Sequence, residues 1–316
     1  SYLYFNLGIM YAKLKKYDLA VDNFDKAISL DPDYIEPYLA QVLIYEIEGR
    51  LVECVDAYKR IKELFPERLE TYYDLGSAYL KMGRLEDAAL EFQYIIDKDP
   101  LSIEGHIGMA RTLKIKGDTD EAISMLEKLA ETEKDDARIW VFLGACYFQK
   151  KEYEKSITAY KRLTDLRPAF TVGYFYLALI YDKTERRDLA KENLKVVIRL
   201  DPEDAEALNY LGYIYAEDGE NLDEAEELIK RALKIEPESG AYIDSLAWVY
   251  YKKGDPNKAL PLLEKAIKLH GKDPVIYDHL GDVHYAISNK EKAREAWEES
   301  LKLDPNQPAV KEKLKK

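Results

Sequence analysis

The chain has 316 residues, 47% hydrophobic and 34% charged, with sparse Gly and Pro, a balance that fits an ordered, largely helical protein and excludes a disordered one. Its 47 Lys and Arg against 60 Asp and Glu leave a formal charge of −13, which argues against nucleic acid as a partner because phosphate rewards clustered cations. No apolar run approaches the roughly 20 residues of a membrane helix, so no direct membrane insertion is expected of this stretch.

A period of 34 residues runs along the chain. In chain order it sets units at 1–34, 35–68, 69–102, 103–136, 137–170, 171–204, 205–239, 240–273 and 274–307. Each unit reads as two helices joined by a turn. The first closes on Asp31-Pro32, and the same pair recurs at Asp99-Pro100, Asp201-Pro202 and Asp304-Pro305. Pro biases the residue before it away from helix, so each pair marks a boundary. The fourth and eighth units lack this Pro and carry Lys134 and Gly271 instead; Gly271, after Lys268 and His270, reads as a helix C-terminal cap. The seventh unit holds one extra residue in the turn around Gly219. Pro261, inside the second helix of the eighth, predicts a local kink. Beyond 307, Val310 and Leu314 stand at helical spacing among lysines, and 308–316 is either a polar-faced capping helix or a truncated tenth repeat.

Columns of the repeat carry the packing. Position eight is small in all units but one: Gly8, Gly76, Ala110, Gly144, Ala178, Gly212, Ala247 and Gly281, with Val42 the exception. Position 20 is Ala, Ser156 or Cys54 throughout. Small residues at these places let the two helices of a hairpin approach. Bulky rings flank them: position four carries Tyr4, Tyr38, Tyr72, Trp140, Tyr174 and Tyr277, and position 11 carries Tyr11, Tyr45, Tyr79, Tyr147, Tyr181, Tyr215 and Tyr250. Positions four, seven, eight and 11 share one helical stripe. Phe24, Tyr58, Phe92, Tyr160 and Trp297 supply the knob of the second helix.

Nine units in register resemble the tetratricopeptide repeat family over residues 1–307. The resemblance implies an all-α fold, a right-handed superhelical solenoid of stacked antiparallel helix pairs with an inner groove lined by each first helix. In the family, positions two, five, nine, 12 and 13 face that groove. Carried over, positions five and nine give Phe5 and Ile9, Leu39 and Leu43, Tyr73 and Ser77, Ile107 and Arg111, and Val141 and Ala145. They continue with Phe175 and Leu179, Asn209 and Tyr213, Asp244 and Trp248, and Asp278 and Asp282. Most are apolar through the first six units, and an apolar strip left open marks a binding surface. The alternatives are packing against a neighbouring helix, or filling of the groove by an absent end of the chain itself. Asp244, Asp278 and Asp282 make the far end acidic, suited to a Lys or Arg of a ligand.

Catalytic constellations are not evident. There is no phosphate loop, nucleophile elbow or metal-finger spacing, so neither an enzyme nor a cofactor or metal is expected. His279 and His284 stand near Asp278 and Asp282, but five residues apart on a helix they point to different faces, and His284 holds a column where other units bury Tyr. His106 likewise replaces the ring of position four. The two cysteines, Cys54 and Cys146, are three repeats apart and read as inert core thiols. The family's carboxylate clamp needs Lys and Asn at positions five and nine, then Asn, then Lys and Arg. The first three units offer Phe5, Ile9, Ala40, Glu70 and Asp74, and no other triplet does better.

The expected function is a non-catalytic interaction scaffold that binds a peptide or protein segment in its concave groove. A structural self-assembly module, monomeric or weakly homo-oligomeric, is the alternative. The last three units, with GYIYAEDGENLDEAEELIKRAL, GAYIDSLAWVYYKKGD and DPVIYDHLGDVHYAISNKEKAREAW, are similar to bacterial envelope tetratricopeptide proteins. That resemblance implies an adaptor for proteases or cell-wall hydrolases. It favours the periplasm, or a membrane anchor in an absent N-terminal segment, over the cytoplasm. The first residue, Ser1, falls inside the first repeat, so a fragment or processed form is expected.

Overall fold

A computed structural model describes residues 1–315, which contain nineteen helices and no strand. The chain forms two compact units, Ser1–Leu166 and Arg167–Lys316. In the first, α1 (Tyr2–Lys13) pairs with α2 (Tyr17–Leu30), α3 (Ile35–Ile47) with α4 (Leu51–Leu64), and α5 (Leu69–Lys81) with α6 (Leu85–Lys98). There α7 (Ile103–Lys116) pairs with α8 (Thr119–Thr132), and α9 (Ala137–Gln149) with α10 (Tyr153–Leu166). In the second, α11 (Thr171–Lys183) pairs with α12 (Arg187–Leu200), and α13 (Ala205–Asp218) with α14 (Leu222–Ile235). It continues with α15 (Gly240–Lys252) on α16 (Pro256–His270), α17 (Pro274–Ala286) on α18 (Lys290–Leu303), and the short α19 (Pro308–Lys313). Within each unit every second helix also packs on the next first helix, so each is a solenoid of stacked hairpins.

One backbone device makes every hairpin. Position 15 of all nine repeats has positive φ, at Gly49, Gly83, Gly117, Gly219 and Gly254 and equally at Lys15, Lys151, Glu185 and Ser288. The next N–H then reaches back to the carbonyl of position 11, as in Arg84 to Tyr79 at 2.9 Å and Arg186 to Tyr181 at 2.8 Å. This six-to-one bond is the Schellman closure that satisfies a helix's last carbonyls. The extra residue of the seventh repeat adds a second left-handed position, Asn221 at φ 47°.

Packing follows the columns. A Cβ built on Gly8 would lie 2.4 Å from the ring of Phe24, on Gly76 2.8 Å from Phe92, and on Gly281 2.3 Å from Trp297. The position-eight glycine is thus the seat of the position-24 ring, and the buried small residue of position 20 lies alongside. The position-four rings tie back to the inter-repeat loop: Tyr72 Oη donates to Pro66 O at 3.0 Å and Trp140 Nε1 to Lys134 O at 2.9 Å. Arg50, Arg84 and Arg186 lie over the Tyr45, Tyr79 and Tyr181 rings at 4.5–5.0 Å.

The boundaries match their chemistry. Asp31, Asp99, Asp201 and Asp304, each before a Pro, leave the helical region with φ between −155° and −133°. Gly271 caps α16 at φ 79°, its N–H donating to Ile267 O. Pro261 is exposed and does not interrupt α16. At the tail, Val310 is buried against Ala293 and Trp297, with Leu314 beside it. They hold positions three and seven of a further repeat, so α19 covers α18 as a first helix does. Lys316 lies outside the described residues.

Candidate functional site

In the first unit the groove columns are mostly claimed by packing. Phe5 sits 5.8 Å from Phe24 and 5.3 Å from Tyr34, with Ile9 in the same cluster. Leu39 and Tyr73 are half-buried against the core, Tyr73 at 5.8 Å from Phe92. Arg111 and Val141 are half-buried, and Leu43, 58% exposed, is the open apolar member. Ile107 corrects the expectation: it is buried, because Gly105 and Gly108 let α7 settle onto the Ile95, Ile96 and Phe92 side chains of α6.

The second unit brings the columns together around space. Phe175 and Leu179 of α11 meet Asn209 and Tyr210 of α13, with Glu206, Asp182, Lys183, Ala241 and Tyr242, around a cavity of about 430 Å³. An adjoining cavity of about 310 Å³ shares Asn209, Tyr210 and Ala241 and adds Tyr213, Asp244, Ser245, His270, Asp273, Val275 and Ile276. Tyr210 is the wall between them: its ring lies 6.3 Å from Phe175 and its hydroxyl donates to Asp182 at 2.9 Å. Burial and the Asp182 carboxylate push the Tyr210 phenol up, so it remains a neutral donor. Asn209 Oδ1 is buried without a hydrogen-bond partner.

The acidic end is answered from within. Asp244, in the wall of the adjoining cavity, and Trp248 are largely buried. His279 Nδ1 lies 2.9 Å and 3.1 Å from the two Asp244 oxygens, and its ring stacks on Trp248 at 4.0 Å. Burial lowers the imidazole's proton affinity, but Asp244, by charge and hydrogen bond, outweighs it and the pKa is raised. Trp248 Nε1 donates to Glu217 at 2.5 Å. Asp278 and Asp282 are both held by Lys313 of α19 at 2.7 Å. Burial keeps the Asp282 carboxyl above the usual range despite that lysine. A single rule covers this face: position five of one repeat meets position six of the next, as Phe175 meets Tyr210, Asp244 meets His279, and Asp278 meets Lys313. The cation foreseen for Asp244, Asp278 and Asp282 is therefore supplied by the chain itself. Tyr210, His279 and Lys313 were missed as groove residues because position six lies outside the inherited groove columns. A basic residue one repeat after an acidic position five was the available signal.

His284 is buried with Nδ1 unpartnered, and burial lowers its pKa. His106 Nδ1 lies 2.8 Å from Ser102 O. Burial pushes the Cys54 thiol up to about 11 and raises Cys146 as well, which keeps both protonated and unreactive. No helix of the described residues is long and apolar enough to cross a membrane. No group of three His, Cys, Asp or Glu able to hold a metal occurs among them.

Comparisons with known proteins agree with this architecture. Residues 69–314 match the family described as the cilia and flagella-associated protein 70 C-terminal domain, and residues 1–34 match the tetratricopeptide repeat. BBSome complex member BBS4 of Bos taurus is 27% identical over 218 residues, covering 68% of this chain and 42% of that protein. The chain spans about two fifths of the length of the curated relatives it matches first. Among solved structures, the anaphase-promoting complex hetero-tetramer Cut9–Hcn1 superposes with a TM-score of 0.64 at 18% identity, over 94% of this chain and 59% of that one. YrrB, described as a tetratricopeptide protein with an unusual peptide-binding site, gives 0.50 at 22% identity, over 63% and 97%. The family match also runs through the last three repeats, so their likeness to bacterial envelope adaptors is not carried further. The chain belongs to the tetratricopeptide repeat proteins, in the family of the cilia and flagella-associated protein 70 C-terminal domain.

Proposed function

We propose that the chain is a non-catalytic scaffold that holds a segment of a partner protein along the first helices of its sixth to eighth repeats. The observation that carries this is the pair of adjoining cavities that gather Phe175, Leu179, Asn209 and Tyr213 on the groove columns. Apolar walls with a few polar groups are what a recognition site needs. The names of relatives support the same reading, since BBS4 is a BBSome complex member and Cut9 is an anaphase-promoting complex subunit. Phe175→Glu with Leu179→Glu tests it by affinity capture and mass spectrometry, with far-UV circular dichroism as the folding control. The double variant keeps its helicity and loses the partners that the unaltered protein retains. Retention of the same partners would remove this face as the binding surface.

A further inference from the structure

The lining of the Phe175 cavity says more about its occupant than its apolar walls do. Of its carboxylates, Asp182 already takes the Tyr210 hydroxyl and lies 3.4 Å from Arg187. In the adjoining cavity Asp244 is paired with His279, and Asp273 caps α17 through Val275 N at 2.8 Å and lies 3.9 Å from His270. Glu206 differs. Among the described residues it has no ion pair, and the charges acting on it are Asp204 and Glu236, both acidic. Glu206 is an exposed member of the lining; partial desolvation of its carboxyl, then these two neighbours, raise its pKa. Lys183 is the one cation of the lining and is not among the charges that act on Glu206.

The two cavities share Asn209, Tyr210 and Ala241, so an occupant that crosses one enters the other. An extended strand, whose side chains alternate, suits two such holes with a polar position between them. We propose that this face takes an extended segment of another protein in which a bulky apolar residue fills the Phe175–Leu179–Tyr210 cavity and an adjacent Lys or Arg pairs with Glu206. This rests on the groove reading above and adds the partner's charge to it. The basic ligand is opposite in sign to the terminal carboxylate that a clamp-type groove grips.

The full chain is panned against a displayed library of random twelve-residue peptides, with the Phe175→Glu, Leu179→Glu variant as the counter-selecting bait. The expected pool pairs an aromatic or aliphatic residue with a neighbouring Lys or Arg. Its binding, read by fluorescence anisotropy, weakens about tenfold in Glu206→Lys and falls with added salt, as a partly exposed charge pair should. Enriched peptides that are neutral or acidic, with Glu206→Lys silent, overturn the charge inference and leave the groove reading standing. No enrichment over the double variant overturns both. A concentration-dependent dimer abolished by the double variant makes a second copy the occupant and also overturns the proposal.

Discussion

Replacing Glu185 by Gly in the α11–α12 turn is expected to stabilise the second unit. Glu185 occupies the position-15 column at φ 60°, where five of the nine repeats have Gly. An L-residue in the left-handed region costs about 1–2 kcal/mol because its Cβ crowds the following carbonyl. Glycine avoids that but gives up about 0.5–1 kcal/mol of extra chain entropy on folding. The difference leaves a gain of about 0.5–1 kcal/mol. The reciprocal change, Gly254→Ala at φ 81°, isolates the same effect, because nothing lies within 4 Å of a Cβ built there. It should lose a comparable amount. Urea denaturation followed by circular dichroism measures both; at about 2 kcal/mol per molar urea the midpoints move by roughly 0.3–0.5 M in opposite directions. A neutral or destabilising Glu185→Gly, together with a harmless Gly254→Ala, would refute the role given to this turn.

Gly281→Ala should destabilise by up to about 2 kcal/mol, since overpacking costs about 1–3 kcal/mol and the gain in helix propensity returns only about 1. The new Cβ meets Trp297, whose indole is held to Asp282 at 3.2 Å, so a changed near-ultraviolet tryptophan signal should accompany a lower urea midpoint. For His279 the raised folded pKa sets the sign: its stabilisation is complete below the unfolded value, about 6.5, and fades as pH rises through the folded one. The urea midpoint of the unaltered chain minus that of His279→Gln should therefore shrink from pH 6 towards pH 9, and a gap that widens contradicts the pairing with Asp244. Lys313→Gln leaves Asp278 and Asp282 without their cation and should speed amide exchange in α19 and the adjoining turns of α17. Unchanged exchange there means that Val310 alone holds the tail.

The hairpins were legible because their causes are local. A small residue at position eight beneath a ring at position 24 needs only two helices to meet, and a Pro after Asp ends a helix wherever it stands. The positive φ of position 15 was half visible, in five glycines; Lys15, Lys151, Glu185 and Ser288 hid it, since the six-to-one closure imposes the conformation whatever the side chain. The candidate site was less legible. Phe175, Leu179, Asn209 and Tyr213 do converge, but on cavities shaped by Tyr210, from a column the family pattern does not assign to the groove.

The repeat, its register, the helix ends and the identity of the packing columns could be read before any fold was known, because each depends on residues close along the chain or at a fixed offset. Which groove residues stay available emerges only when the hairpins stack. Ile107 vanishes where two glycines draw α7 inward, and Asp244, Asp278 and Asp282 find their cations on the next first helix, about a repeat away. Charge written in one repeat is neutralised by another through stacking. Among the described residues Glu206 is the carboxylate of the two cavity linings to which the stack brings no cation.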